Sequence, residues 1–220
     1  MAEAFGIAAA VNFFFLFAVS AADMVNMDAA GITDIFCPFL EDGSLMYGCF
    51  AANLAFCFLI QLLFLKREEQ QWAMLSFLVR SKGRKRLFLS QKKDLYGYLL
   101  AVFIGKLLSD GIYFGIFVRQ KDFCGFVYTE SSFLLITAVW MEIIYLMFAL
   151  RVKGTYGLFM VLALSAVSLI LIPYTGFSFF AYGSLAFSWT DLFIKALVWA
   201  VLFAAGAAAV MKMDLLGHEQ

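Results

Sequence analysis

The chain has 220 residues, 64% of them hydrophobic, and Lys+Arg and Asp+Glu each total 16. Its mean hydropathy is +0.90, and its apolar share lies well above the roughly 45–50% of soluble domains. That composition excludes an ordinary water-soluble fold and makes lipid the solvent for much of the surface; the balanced charge gives no ground for a nucleic-acid partner.

In chain order, six apolar stretches approach the ~20 residues that a spanning helix needs. They are Phe5–Val25, Leu45–Leu65, Leu95–Val118, Phe133–Leu150, Tyr156–Tyr174 and Leu192–Met211. Nothing basic precedes the first, and it is longer than a usual signal-peptide core, so it is expected to stay as a span. No internal repeat or low-complexity linker interrupts residues 1–220. The expected architecture is one all-α transmembrane domain, multi-pass in the plasma membrane.

Basic residues set the orientation. Nine lie between Lys66 and Asp94, followed by Arg151 and Lys153 after span four and Lys212 after span six. With six spans all twelve share one side, leaving Arg119 and Lys121 opposite. The loop from Asn26 to Ser44 has no basic residue but carries Asp28, Asp34, Glu41 and Asp42. The basic side is expected in the cytoplasm, with both ends inside.

Two connecting segments are unusual. Between spans two and three, Glu68–Ser81 reads EEQQWAMLSFLVRS. Trp72, Leu75, Leu78 and Val79 recur at helical spacing while Glu68, Glu69, Gln71 and Arg80 mostly lie off that stripe, which predicts an amphipathic cytoplasmic helix. Gly83 is expected to end it inside the basic run. Such a helix could rest on anionic lipid or dock a cytoplasmic partner. Before span six, Thr175–Thr190 is uncharged and rich in aromatics, Gly and Ser. It is expected to form a re-entrant hairpin in the outer leaflet, the alternative being a loop in the aromatic belt.

Ionisable residues inside a span mark candidate sites. Lys106 and Asp110 share a face of span three, being four residues apart, and Glu142 sits midway along span four. Lys106 is expected to pair with Glu142 or Asp110, either as a lock between helices or on a translocation path. Asn12 and Gln61 are weaker versions of the signal. Asp23, Asp191 and Lys195 are expected to snorkel at span ends. Small residues at Ala8–Ala10 and Ala204–Ala209 allow close helix approach, inside the chain or at a subunit interface.

The four cysteines form no C-x-x-C pair and the single histidine is His218, so no metal site is expected. One disulfide among Cys37, Cys49 and Cys124 stays open. Phosphate-binding loops and the common hydrolase motifs are absent, so the chain itself is not expected to be an enzyme or to hold a cofactor.

This layout resembles the membrane (permease) subunits of bacterial type-two ATP-binding-cassette exporters. The closest likeness is Arg67–Lys93, which starts acidic, turns apolar through Phe77, Leu78, Val79, Arg80 and Ser81, and ends basic; Met211–Leu216 is similar to the family's exit from span six. The family commonly has an amphipathic helix before span one, where this sequence shows only Met1–Ala4. The resemblance implies that Glu68–Ser81 is a coupling helix seated on a separate ATPase subunit. Glu68, Glu69, Gln70, Trp72, Leu75, Leu78 and Arg80 are then the candidate contacts. It further implies a second membrane subunit, ATP and Mg held by the ATPase partner, and an amphiphilic exported cargo such as a peptide antibiotic, a lipid-linked molecule or a drug. Two other readings stay open: the membrane subunit of a vitamin uptake transporter, and a non-transport scaffold.

Overall fold

The computed structural model describes residues 2–21, 47–73, 83–116, 123–175 and 189–212. They form six α-helices and no strand: α1 (Ala2–Ala21), α2 (Tyr47–Ala73), α3 (Arg84–Ile116), α4 (Phe123–Ala149), α5 (Gly154–Thr175) and α6 (Trp189–Lys212). Three of them, α3, α4 and α6, are long and apolar enough to cross a membrane. Shorter apolar helical stretches are described at Ala2–Phe14 and Gly154–Val167.

Helix α4 is the mast of the bundle. Ile136, Val139, Met141, Ile144 and Tyr145 along it are all essentially inaccessible. Side-chain pairs fix how the other helices run past it. Phe56 meets Phe133 and Trp72 meets Tyr145, so α2 runs parallel to α4. Lys106 meets Glu130 and Lys92 meets Glu142, so α3 runs the opposite way. Lys195 reaches Ser132 while Gly206 packs on Tyr145, so α6 is parallel to α4 again. Gly154 abuts Phe148 and Gly157 abuts Ile144, so α5 is antiparallel to it. Helix α1 lies along α3 in the same direction. The helices thus alternate up and down in chain order.

The α1–α3 crossing depends on the absence of a side chain. A Cβ on Gly105 would stand 2.6 Å from the Phe5 carbonyl oxygen and 3.2 Å from the Ala9 amide nitrogen. Ala4 and Ala8, both buried, complete this seam. Small residues let two backbones approach, so Ala8 belongs to internal packing. On α6 the small residues divide: Gly206 is buried on Tyr145, while Ala204 and Ala208 are exposed.

The alternation gathers the described basic residues of the connections at one end. Lys66 and Arg67 finish the apolar part of α2, Arg84–Arg86 open α3, Arg151 and Lys153 join α4 to α5, and Lys212 closes α6. Arg84 donates to the Met211 carbonyl oxygen at 3.2 Å, which ties two of these ends together.

Three helix boundaries differ from expectation. Helix α3 begins at Arg84 rather than Leu95, α4 at Phe123 rather than Phe133, and α2 continues to Ala73 rather than stopping at Leu65. Hydropathy windows count each charged or polar residue as unpaired; here many are partnered inside the bundle. Glu68–Ala73 is therefore a direct extension of α2. Leu75, Leu78 and Arg80 lie outside the described residues, as do Asp23, Arg119, Lys121, Cys37, His218 and all but the ends of the expected hairpin. Gly83, with φ 75°, stands just before α3 in a conformation that glycine adopts without strain.

Candidate functional site

Charged side chains enter this bundle in two layers. Along α3, Lys92 and Lys106 are about 21 Å apart at the ~1.5 Å helical rise; along α4, Glu142 and Glu130 are about 18 Å apart. The antiparallel run of α3 and α4 matches each lysine to one glutamate.

The layer near the basic end centres on Lys92 and Glu142, a buried salt bridge. The other Glu142 oxygen accepts from the Tyr96 hydroxyl at 2.5 Å, and Trp199 Nε1 of α6 donates to that hydroxyl at 3.1 Å. Lys92 Nζ also sits 3.7 Å from the centre of the Tyr145 ring. A cation over an aromatic face loses less on leaving water. Gln91 bonds the Tyr145 hydroxyl at 3.1 Å. Glu142 is the ion-pair partner of Lys92 here, with the buried Glu68 carboxyl also close enough to feel its charge.

The far layer has two nodes. In the first, Lys106 is bridged to both Asp110 and Glu130, the latter at 2.8 Å. Asn12 of α1 donates to Asp110 at 2.6 Å and to Ser109 at 2.5 Å. In the second, Lys195 is bridged to Asp191 at 2.6 Å and donates to Ser132 of α4 at 2.8 Å. Tyr128 donates to Asp191 at 3.0 Å. All five ionisable groups are buried, three carboxyls to two lysines. Asn12 Oδ1, Glu130 Oε2 and Asp191 Oδ1 have no hydrogen-bond partner among the described residues.

Between the layers no described residue is charged. Leu99, Val102, Ile136 and Val139 occupy that level, with Thr137 as a buried hydroxyl among them. The charged residues therefore form two separate plates. Gln61 is buried at the level between them, beside a cavity of about 10 Å³ shared with Trp140 and Ser165.

The expected Lys106–Asp110 pair is present. The alternative Lys106–Glu142 pair is not: Glu142 faces Lys92, because α3 starts early enough to carry Lys92 into the bundle. Asp191 and Lys195 do not snorkel to solvent; both are buried against α4. Sequence reasoning passed over Lys92 and Glu130. Leu87, Phe88, Gln91 and Leu95 share one buried face with Lys92, and that helical spacing was the available signal.

The candidate ATPase contacts divide in the same way. Glu69 and Gln70 are exposed. Glu68 is buried and accepts from Trp72 Nε1 at 3.0 Å. Trp72 stacks on Phe148 with centroids 5.8 Å apart. Burial pushes the Glu68 carboxyl up to about 7, against the opposing pull of the Trp72 hydrogen bond and the Arg67 charge. Cys124 is a free, exposed thiol. Among the described residues no group of His, Cys, Asp and Glu is arranged to hold a metal.

Set against protein-family models, curated proteins and solved structures, the chain matches none of them.

Proposed function

We propose that this chain is a six-span subunit of the cell membrane with its basic end in the cytoplasm, and that it forms the permease half of an ATP-binding-cassette exporter for an amphiphilic cargo. The observation that carries the reading is the gathering of basic helix ends around Glu68–Ala73, where the candidate coupling stretch begins. Cytoplasmic loops collect Lys and Arg, and a partner ATPase would meet the bundle on that face. The exposed Glu69 and Gln70 are suited to such a contact. Glu68 and Trp72, turned inward, would stiffen the base of the segment instead.

The plugged interior bears on the route. A packed, uncharged belt divides the two charged plates, so cargo would travel along a surface shared with a second membrane subunit. Phe193, Leu197, Val201, Ala204 and Ala208 form an exposed face on α6 that suits lipid or such a partner. The buried ion pairs then act as locks that make this half of the transporter move as a unit.

Co-purification with an ATPase encoded beside this gene tests the proposal. Glu69→Arg with Gln70→Glu, and separately Leu75→Asp, should release the ATPase while the protein still inserts. A stable complex with undiminished ATPase stimulation in both variants would reject the docking role. Purification with no ATPase at all would favour the scaffold. Labelling of a cysteine placed at Glu69 only from outside the cell would reject the orientation.

A further inference from the structure

The basic end carries a cleft that meets the proposed ATPase contact only at Gln70. It has a volume of about 390 Å³ and lies between α1, α2 and α3. Its polar lining is Lys66, Arg67, Gln70 and Glu3, and its apolar lining includes Ala4, Ile7 and Leu63. The volume falls within the ~300–1,000 Å³ usual for small-ligand sites. Arg67 is not a loose surface chain: its guanidinium stands 5.7 Å from the centre of the Tyr98 ring. Tyr98 is itself buried and donates to the Ile60 carbonyl oxygen at 3.2 Å.

We infer that this cleft binds the headgroup of an aminophospholipid, with the phosphodiester on Lys66 and Arg67 and the primary ammonium on Glu3. The inference rests on the membrane reading above but not on the exporter. Two cations side by side suit a phosphate oxyanion. A carboxylate in the same cleft disfavours a purely anionic headgroup and gives an ammonium its partner. A quaternary ammonium has no N–H to offer Glu3, so a choline headgroup meets only half of the site. The apolar wall of Ala4, Ile7 and Leu63 fits the glycerol and first acyl carbons, and basic pockets between spanning helices at the cytoplasmic face are suited to headgroups. The polar groups come from two helices: Glu3 lies on α1, and Lys66, Arg67 and Gln70 on α2.

The test uses the full chain purified in detergent and titrated with dioleoyl phosphatidylethanolamine, phosphatidylcholine or phosphatidylglycerol, with retained lipid read by native mass spectrometry. Phosphatidylethanolamine should be held at least fivefold more tightly than either of the others. Lys66→Gln with Arg67→Gln should weaken its retention at least tenfold. Glu3→Gln should erase the preference over phosphatidylcholine while leaving phosphatidylglycerol bound as well as before or better. Because Glu3 is exposed, that variant gives a reading even where the double variant folds poorly. Equal retention of the three lipids by the wild type would overturn the proposal, as would a preference that survives Glu3→Gln. Displacement of the lipid by soluble phosphoethanolamine at equal concentration would identify a site for a free phosphate compound and reject the lipid. A chain that stays soluble without detergent would instead sink the membrane reading itself.

Discussion

The two ionic layers use the same residue types and differ in their balance. At the basic end Lys92 and Glu142 match one to one, and aromatic rings enclose the cation. At the far end Lys106 answers two carboxyls and Lys195 a third, and three oxygens have no hydrogen-bond partner among the described residues. A buried pair is weak evidence for stability, since desolvation consumes most of the Coulombic gain, but removing one member leaves a bare charge. Removing Lys92 strands one carboxylate, which keeps the Tyr96 hydroxyl. Removing Lys106 strands two, at a node where Lys106 holds α3 to α4 and Asn12 joins α1.

The largest expected effect follows from that contrast. Lys106→Met should lower unfolding stability by about 3–5 kcal/mol, read by pulse proteolysis in detergent. Neutralising Glu130 in the same chain should recover part of the loss, and neutralising Glu142 none of it. A double-mutant cycle should give Lys106–Glu130 a coupling of about 1–3 kcal/mol and Lys106–Glu142 nearly zero. The reverse pattern would mean that α3 and α4 pack in another register.

Lys92→Met should cost less, about 2 kcal/mol, because Glu142 keeps the Tyr96 hydroxyl. A loss equal to that of Lys106→Met would remove the distinction between the layers. Next comes Gly105→Ala, at about 1–3 kcal/mol, since the new methyl meets main-chain atoms of α1 that no rotamer change can move. Normal thermal stability in this variant would show that α1 is not held there.

Glu68→Gln comes last because its effect is a change of slope with pH rather than a loss at one pH. Between pH 4.5 and about 7 the unfolded carboxyl has lost its proton while the folded one retains it. The unfolded state then binds fewer protons, so stability falls as pH rises across that window. Above it both forms are ionised and the curve levels off. Glu68→Gln should flatten this stretch and stand above the wild type at pH 8. An unchanged slope in the variant would assign the pH dependence to another group.

Much of the helical plan could be read from apolar runs alone, because the helices keep apolar side chains such as Leu100, Leu108, Phe193 and Val201 even on their exposed faces. The Lys106–Asp110 contact was legible too, since helical spacing fixes it locally. Partners on other helices were not. Whether Glu142 meets Lys106 or Lys92 depends on the register between α3 and α4, which composition does not encode. The inward turn of Glu68 was hidden for a related reason: a carboxyl beside Arg67 and Glu69 reads as solvated until Trp72, Tyr145 and Phe148 are seen to roof it. The small residues of α6 split between burial and exposure because only Gly206 falls opposite a bulky ring.

Helix α3 is an unbroken rod of 33 residues, about 50 Å long at the helical rise, against a hydrocarbon slab of about 30 Å. A helix of that length crossing a bilayer overhangs it or leans within it. The overhanging end carries Arg84, already hitched to the tail of α6, and the shaft contains no proline to act as a joint. A torque applied at the Arg84 tip would therefore reach Asp110 as rotation of a single lever, turning the far charges and the seam with α1 together.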